Sequence, residues 1–191
     1  TAYHTIPIDN SFDTVIVLAT WHDSTSRELA MCETDFSESV LMISSIKNIA
    51  NVTYVPPEEI IGEHAFTHQL PFLLERTPNT NVIPILVKNK PVQVESLLVE
   101  ISQKMKKGKT LLICTSDLSH VHDKISHDEL KTKDNIVLDY LSGEHGRTSP
   151  DHLSACGSYA IDMFCKILKT MEPTMKLYSR VQCYYNSTQV E

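Results

Sequence analysis

Thr14-Val-Ile-Val-Leu-Ala-Thr20 is a run of β-branched and aliphatic residues with no charge and no polar alternation. A strand wetted on one face alternates apolar with polar side chains. An unbroken apolar run reads instead as a strand covered on both faces, the condition of a sheet buried between helices. Two more runs share this character, Asn81-Val-Ile-Pro-Ile-Leu-Val87 and Lys109-Thr-Leu-Leu-Ile-Cys-Thr115. Amphipathic stretches separate them, and the alternation predicts an α/β fold.

Working outward, the spacing of Phe36, Val40, Ile43 and Ile46 by three and four predicts a helix over 35–48, capped by Asp35 or Ser37. A short strand is expected at 52–55, stopped by Pro56-Pro57. A helix should follow over 58–74, with Pro57 near its start and Pro71 kinking or ending it. Pro84 removes a ladder donor and points to an edge or a bulge at that place in the second strand. Helices are expected at 92–106, 134–141 and 155–171, a loop at 142–150, and a strand over 176–185.

The 191 residues suit one domain, 1–191, with a sizeable core. Seventeen Lys and Arg against twenty-four Asp and Glu give a net charge of −7, which argues against binding driven by phosphate neutralisation on nucleic acid or anionic lipid. No apolar run reaches the roughly 18 residues of a membrane span, and the first residues carry no basic and apolar leader. The five cysteines, Cys32, Cys114, Cys156, Cys165 and Cys183, are odd in number and contain no Cys-x-x-Cys pair, so a disulfide framework is not expected. These features together make a cytoplasmic location the expectation.

Chemistry concentrates at strand ends, where open α/β sheets place their active loops. Thr20-Trp-His-Asp23 follows the first strong strand, and Ser116-Asp-Leu-Ser-His-Val-His-Asp123 follows the third. Asp beside His offers a metal ligand with an oriented neighbour, or a base held by a carboxylate. In Glu63-His-Ala-Phe-Thr-His-Gln69, His64 and His68 stand four apart and would share a helix face. Ala65 occupies the place where a zinc protease needs Glu, which disfavours that class. Ser116 lacks the Gly-x-Ser-x-Gly elbow of a nucleophilic serine. Cys156 opens a helix, where the macrodipole favours an anionic sulfur, whereas Cys114 lies in a strand and Cys165 in a helix interior.

In order along the chain, Val15-Ile-Val-Leu-Ala-Thr-Trp-His22, Glu63-His-Ala-Phe-Thr-His-Gln-Leu-Pro-Phe72, Val82-Ile-Pro-Ile-Leu-Val87, Thr115-Ser-Asp-Leu-Ser-His120 and Cys156-Gly157 resemble the Memo family. The resemblance implies a single-domain α/β/α sandwich around a mostly parallel or mixed sheet, akin to class III extradiol dioxygenases. It also implies one iron or copper ion on two histidines and a cysteine, which fall here on His22, His64 and Cys156. The remaining pocket residues fall on Asp117 and His120. Thiolate with imidazole suits copper or iron better than magnesium or calcium, and it admits zinc.

The departures from the family pattern are equally specific. Asp23 replaces a second histidine, Trp21 a small residue, Thr67 a helix glutamate and Ser158 an arginine, while His68 stands where the family has Met or a similar residue. The family's upstream His-Ala-Gly-Tyr segment and its last strand fall outside these residues, so a divergent or shortened member is expected. The three ligand positions survive, and metal binding is therefore expected ahead of dioxygenase-like turnover. His120 would serve as the acid–base or substrate-orienting group and Asp117 as its partner, acting on a small-molecule or peptide ligand at the metal pocket. Two other readings compete. One is an inactive signalling module binding tyrosine-phosphorylated peptide, weakened by Ser158 because Arg best holds phosphate. The other is a zinc hydrolase using His64, His68 and His120.

Overall fold

The computed structural model describes residues 2–6, 12–22, 27–119, 126–142 and 149–171. Its centre is β1 (Thr14–Thr20), paired in parallel on one side with β6 (Asn81–Val87) and on the other with β7 (Thr110–Thr115). All three lie where the apolar runs predicted them. Four shorter strands bring the mixed sheet to seven among the described residues: β2 (Leu29–Cys32), β3 (Phe36–Glu38), β4 (Leu41–Ile43) and β5 (Thr53–Val55).

Helices cover both faces, and the two-residue period of β1 divides the core between them. Val15, Val17 and Ala19 pack with Ile60, Phe66, Leu70 and Leu73 of α1 (Pro57–Gly62), α2 (His64–Thr67) and α3 (Leu70–Arg76). Ile16 and Leu18 pack on the opposite face with Leu97 and Ile101 of α4 (Glu95–Lys107) and with Ala160, Met163 and Ile167 of α6 (Ser158–Met171). α5 (His127–Ser142) joins α6 through Val137, Tyr140, Ile161 and Cys165. The result is a three-layer α/β/α sandwich, the class of fold anticipated, and among the described residues the sheet does not close into a barrel.

Pro84 sits in an interior strand, yet costs no ladder bond. Val82 accepts from Ser44 and pairs with β4, while Leu86 pairs with β2. The backbone of Pro84 faces the same side as these two residues, so its missing N–H falls in the gap where β4 ends and β2 begins. The edge expected there is therefore real, but local.

Three local expectations are corrected. Residues 35–48 form no helix: β3 and β4 make an antiparallel hairpin turning at Ser39, whose φ of 56° is a left-handed conformation that a helix excludes. Leu41 and Ile43 are buried while Val40 and Met42 are 56% and 46% exposed, a period of two that the three-and-four spacing concealed. The helix expected over 58–74 is three short ones. Glu63, extended at φ −80° and ψ 108°, separates α1 from α2, and Pro71 lies in the first turn of α3, where its lost N–H has no helical partner to give up. β2 was not anticipated, since four buried residues present no period to read.

Elsewhere, the strand near 52–55 and the helices beginning near 92, 134 and 155 appear with shifted ends. The strand expected at 176–185 lies outside the described residues, as does most of the loop at 142–150. No described helix is long and apolar enough to cross a membrane.

Candidate metal centre

β1, β6 and β7 run parallel, so their carboxyl ends open at one end of the sheet. His22 leaves that end two residues past β1, after Trp21 anchors the chain by donating its amide to the Val87 carbonyl. Trp21 is buried, and the Arg27 guanidinium stacks on its ring at 4.4 Å. His64 comes from the α1–α3 layer as the first residue of α2. The two imidazoles face each other with centroids 4.2 Å apart, and His68 lies edge-on to His64 at 5.9 Å.

Glu63 lies beneath this pair and is buried. Its Oε2 accepts from the His22 backbone amide at 2.7 Å, and its Oε1 lies 2.8 Å from His22 Nδ1 and accepts from the Ala65 amide at 3.0 Å. The same Oε1 is 3.3 Å from His64 Nδ1. Burial alone would raise the Glu63 carboxyl, but hydrogen bonds from the His22 and Ala65 amides and from the His22 ring outweigh it and hold the group below its ordinary value. Among the described residues, His22, Glu63 and His64 form the one group of possible metal donors whose ligand atoms all lie within 4.8 Å of one another.

Cys156 reaches the same end of the sheet from the opposite layer, two residues before α6. Its sulfur lies 3.6 Å from Thr20 Oγ1 at the tip of β1 and 3.7 Å from Ser116 Oγ just past β7, and it accepts from the Asp117 amide at 3.3 Å. Gly157 makes this approach possible. Its amide donates to Ser116 Oγ at 2.8 Å, and a Cβ there would stand 2.7 Å from Ser116 Cβ and Thr20 Oγ1. A larger residue enters only if Ser116, Thr20 or the turn that carries Cys156 shifts.

The other described cysteines are poor donors. Burial pushes the thiols of Cys32 and Cys114 up, and that of Cys165 up to about 11. Beside Ser116, a mainly apolar groove of about 510 Å³ runs along β7 between Tyr3, Leu118 and Phe164.

Of the five residues singled out from the sequence, His22 and His64 adjoin each other, while Cys156 and Asp117 contact each other across the tip of β1. Cys156 is not in the compact donor group with the histidines; Thr20, which it touches, is two residues from His22. Asp117 is exposed, its backbone holding Cys156 from both directions. His120 lies outside the described residues. The role of Glu63 went unread in the sequence. The available signal was an acidic residue directly before a short helix, where its side chain caps the Ala65 amide.

A layered α/β/α protein with imidazoles, a carboxylate and a thiol gathered at the carboxyl ends of parallel strands belongs to the class whose ligand sites lie at such ends. The chain belongs to the Memo family: the family model described as Memo-like protein matches residues 1–191, its whole length. No curated protein matches the sequence.

Proposed function

We propose that this chain is a mononuclear metal protein binding iron or copper through His22, His64 and Cys156, within one Memo-like domain spanning 1–191. The observation that carries the reading is the pair of imidazoles 4.2 Å apart over a buried carboxylate, at the sheet end that also holds the Cys156 sulfur. Two borderline nitrogens and a soft sulfur match copper, iron or zinc and mismatch the hard cations, so the donor chemistry fits the group the family implies. Iron or copper so held supplies redox chemistry of the dioxygenase-like kind.

The chain's own residues account for the rest of the site. Thr20, Ser116 and the Asp117 amide orient the sulfur, and Glu63 orients the rings. His120 is assigned proton transfer or substrate orientation on the family pattern, with Asp117 as its partner. The groove beside Ser116 offers an apolar wall to a small organic ligand. A cytoplasmic setting suits a thiol that must stay reduced to bind metal.

The test is elemental analysis of protein purified without added metal. Stoichiometric iron or copper is the expected result, and its absence contradicts the proposal. Binding of tyrosine-phosphorylated peptide by metal-free protein would favour a signalling module in its place. Stoichiometric zinc unaffected by loss of Cys156 would favour the hydrolase reading.

A further inference from the structure

The compact donor group raises a choice on which its hydrogen bonds bear: Glu63 is either a third ligand or the support of the other two. We infer that Glu63 is a positioning residue shared by both imidazoles, turning the Nε2 atoms of His22 and His64 toward the ion and leaving the third position to Cys156. The inference rests on the proposed metal site and assigns within it a residue that binds no metal.

The argument is one of acceptor geometry. An ionised carboxylate only accepts, and both Glu63 oxygens already do so. Oε2 is taken by the His22 amide at 2.7 Å, and Oε1 by the Ala65 amide at 3.0 Å and by His22 Nδ1 at 2.8 Å. Glu63 thus grips His22 at both backbone and ring, which fixes where the ring sits and how it is turned. A carboxylate beside Nδ1 requires a proton on that nitrogen, and a neutral imidazole then carries its lone pair on Nε2. The contact of Oε1 with His64 Nδ1 at 3.3 Å biases the second ring in the same sense. Only 6% of Glu63 is exposed, and an ion on Oε1 would have to displace the Ala65 amide or the His22 ring N–H, leaving that donor without its acceptor.

The extended backbone at Glu63 makes the arrangement possible. It breaks the helical path between α1 and α2, so that residues 63 and 64, adjacent in sequence, direct their side chains to one place. Glutamine cannot substitute. Its amide nitrogen would have to face either the His22 amide or the cluster of donors on Oε1, setting donor against donor.

Two measurements test the inference. Long-range proton–nitrogen NMR correlations on metal-free protein, above the pH at which imidazoles titrate, should place the His22 proton on Nδ1, against the Nε2–H preference of free histidine. Cu(I) affinity, read by competition with a chelator, should fall about 10–100-fold in Glu63→Gln, as is typical when a partner orienting a metal-binding histidine is lost. The same substitution should shift His22 toward Nε2–H, a change that loss of stability alone would not produce. An Nε2–H tautomer in the unaltered protein, or equal Cu(I) affinity in the variant, overturns the inference. If Glu63→Gln fails to fold, the tautomer in the unaltered protein decides the matter. Failure of the metal reading is distinguishable: Nδ1–H on His22 in a protein that takes up no Cu(I) supports the positioning and removes the metal. Tight Cu(I) binding unaffected by Glu63→Gln keeps the metal and removes the positioning.

Discussion

Replacing Cys156 with serine is expected to abolish stoichiometric iron or copper binding while leaving the fold intact. Thiolate is the soft member of the proposed donor set, and a serine hydroxyl is a far weaker ligand for copper or iron. The fold should survive because a hydroxyl in the same place can keep company with Thr20 Oγ1, Ser116 Oγ and the Asp117 amide, the three neighbours now around the sulfur. Elemental analysis should show metal lost, and any sulfur-to-metal charge-transfer absorption should vanish with it. Thermal unfolding of the metal-free forms should coincide. Unchanged metal content would remove Cys156 from the site.

The largest effect on stability is expected at Phe66, and it should reach the site as well. Phe66 is fully buried and packs with Val17, Ala19 and Leu73 in the core beneath the α1–α3 layer. α2 has only four residues, too few to persist on helical hydrogen bonds, so burial of this ring holds it in place. Phe66→Ala should cost about 3–5 kcal/mol, the usual range for emptying an aromatic site in a core. Each kcal/mol lowers the unfolding midpoint by roughly 2–4 °C in a protein of this size. His64 lies two residues away on the same short helix, so metal affinity should fall in the fraction that remains folded. Urea unfolding measures the first effect and chelator competition the second. A loss well under about 1 kcal/mol would mean that the ring is not packed as described.

The parts of this molecule that the sequence made legible are those in which one physical term dominates. β1 and β6 begin and end where their apolar runs do, because burial on both faces leaves no polar residue to blur the boundary. The hairpin at 36–43 reads as a helix because Phe36, Val40 and Ile43 satisfy a helical spacing by coincidence. The deciding fact, the left-handed turn at Ser39, occurs at a residue type that does not announce it. Pro84 illustrates the converse: the rule about its missing donor was sound, but whether a strand is at an edge varies along its length when two short strands share one side.

The site divides similarly. The set His22, His64 and Cys156 comes from the family resemblance, since residue type marks each only as a candidate and only His22 directly follows a strong strand; the fold places all three toward one end of the sheet. Glu63 stands inside a legible motif, but its work is not readable from it. A carboxylate's usefulness depends on which N–H groups face it, and that is set by a chain break between two helices that periodicity does not foresee. His68 shows the limit of spacing as evidence. It neighbours His64 as four-residue separation requires, yet it is outside the group of mutually close donors.

X-ray absorption at the metal edge of iron- or copper-loaded protein tests the central claim most directly. The account predicts one sulfur scatterer near about 2.3 Å and two imidazole nitrogens near about 2.0–2.1 Å, taking the distances typical of tetrahedral thiolate and imidazole sites. The sulfur shell should be absent from Cys156→Ser, and one imidazole should be absent from either His22→Ala or His64→Ala. A first shell of nitrogen and oxygen alone in the unaltered protein would contradict the account, because the ion would then be held without the cysteine at the tip of β1.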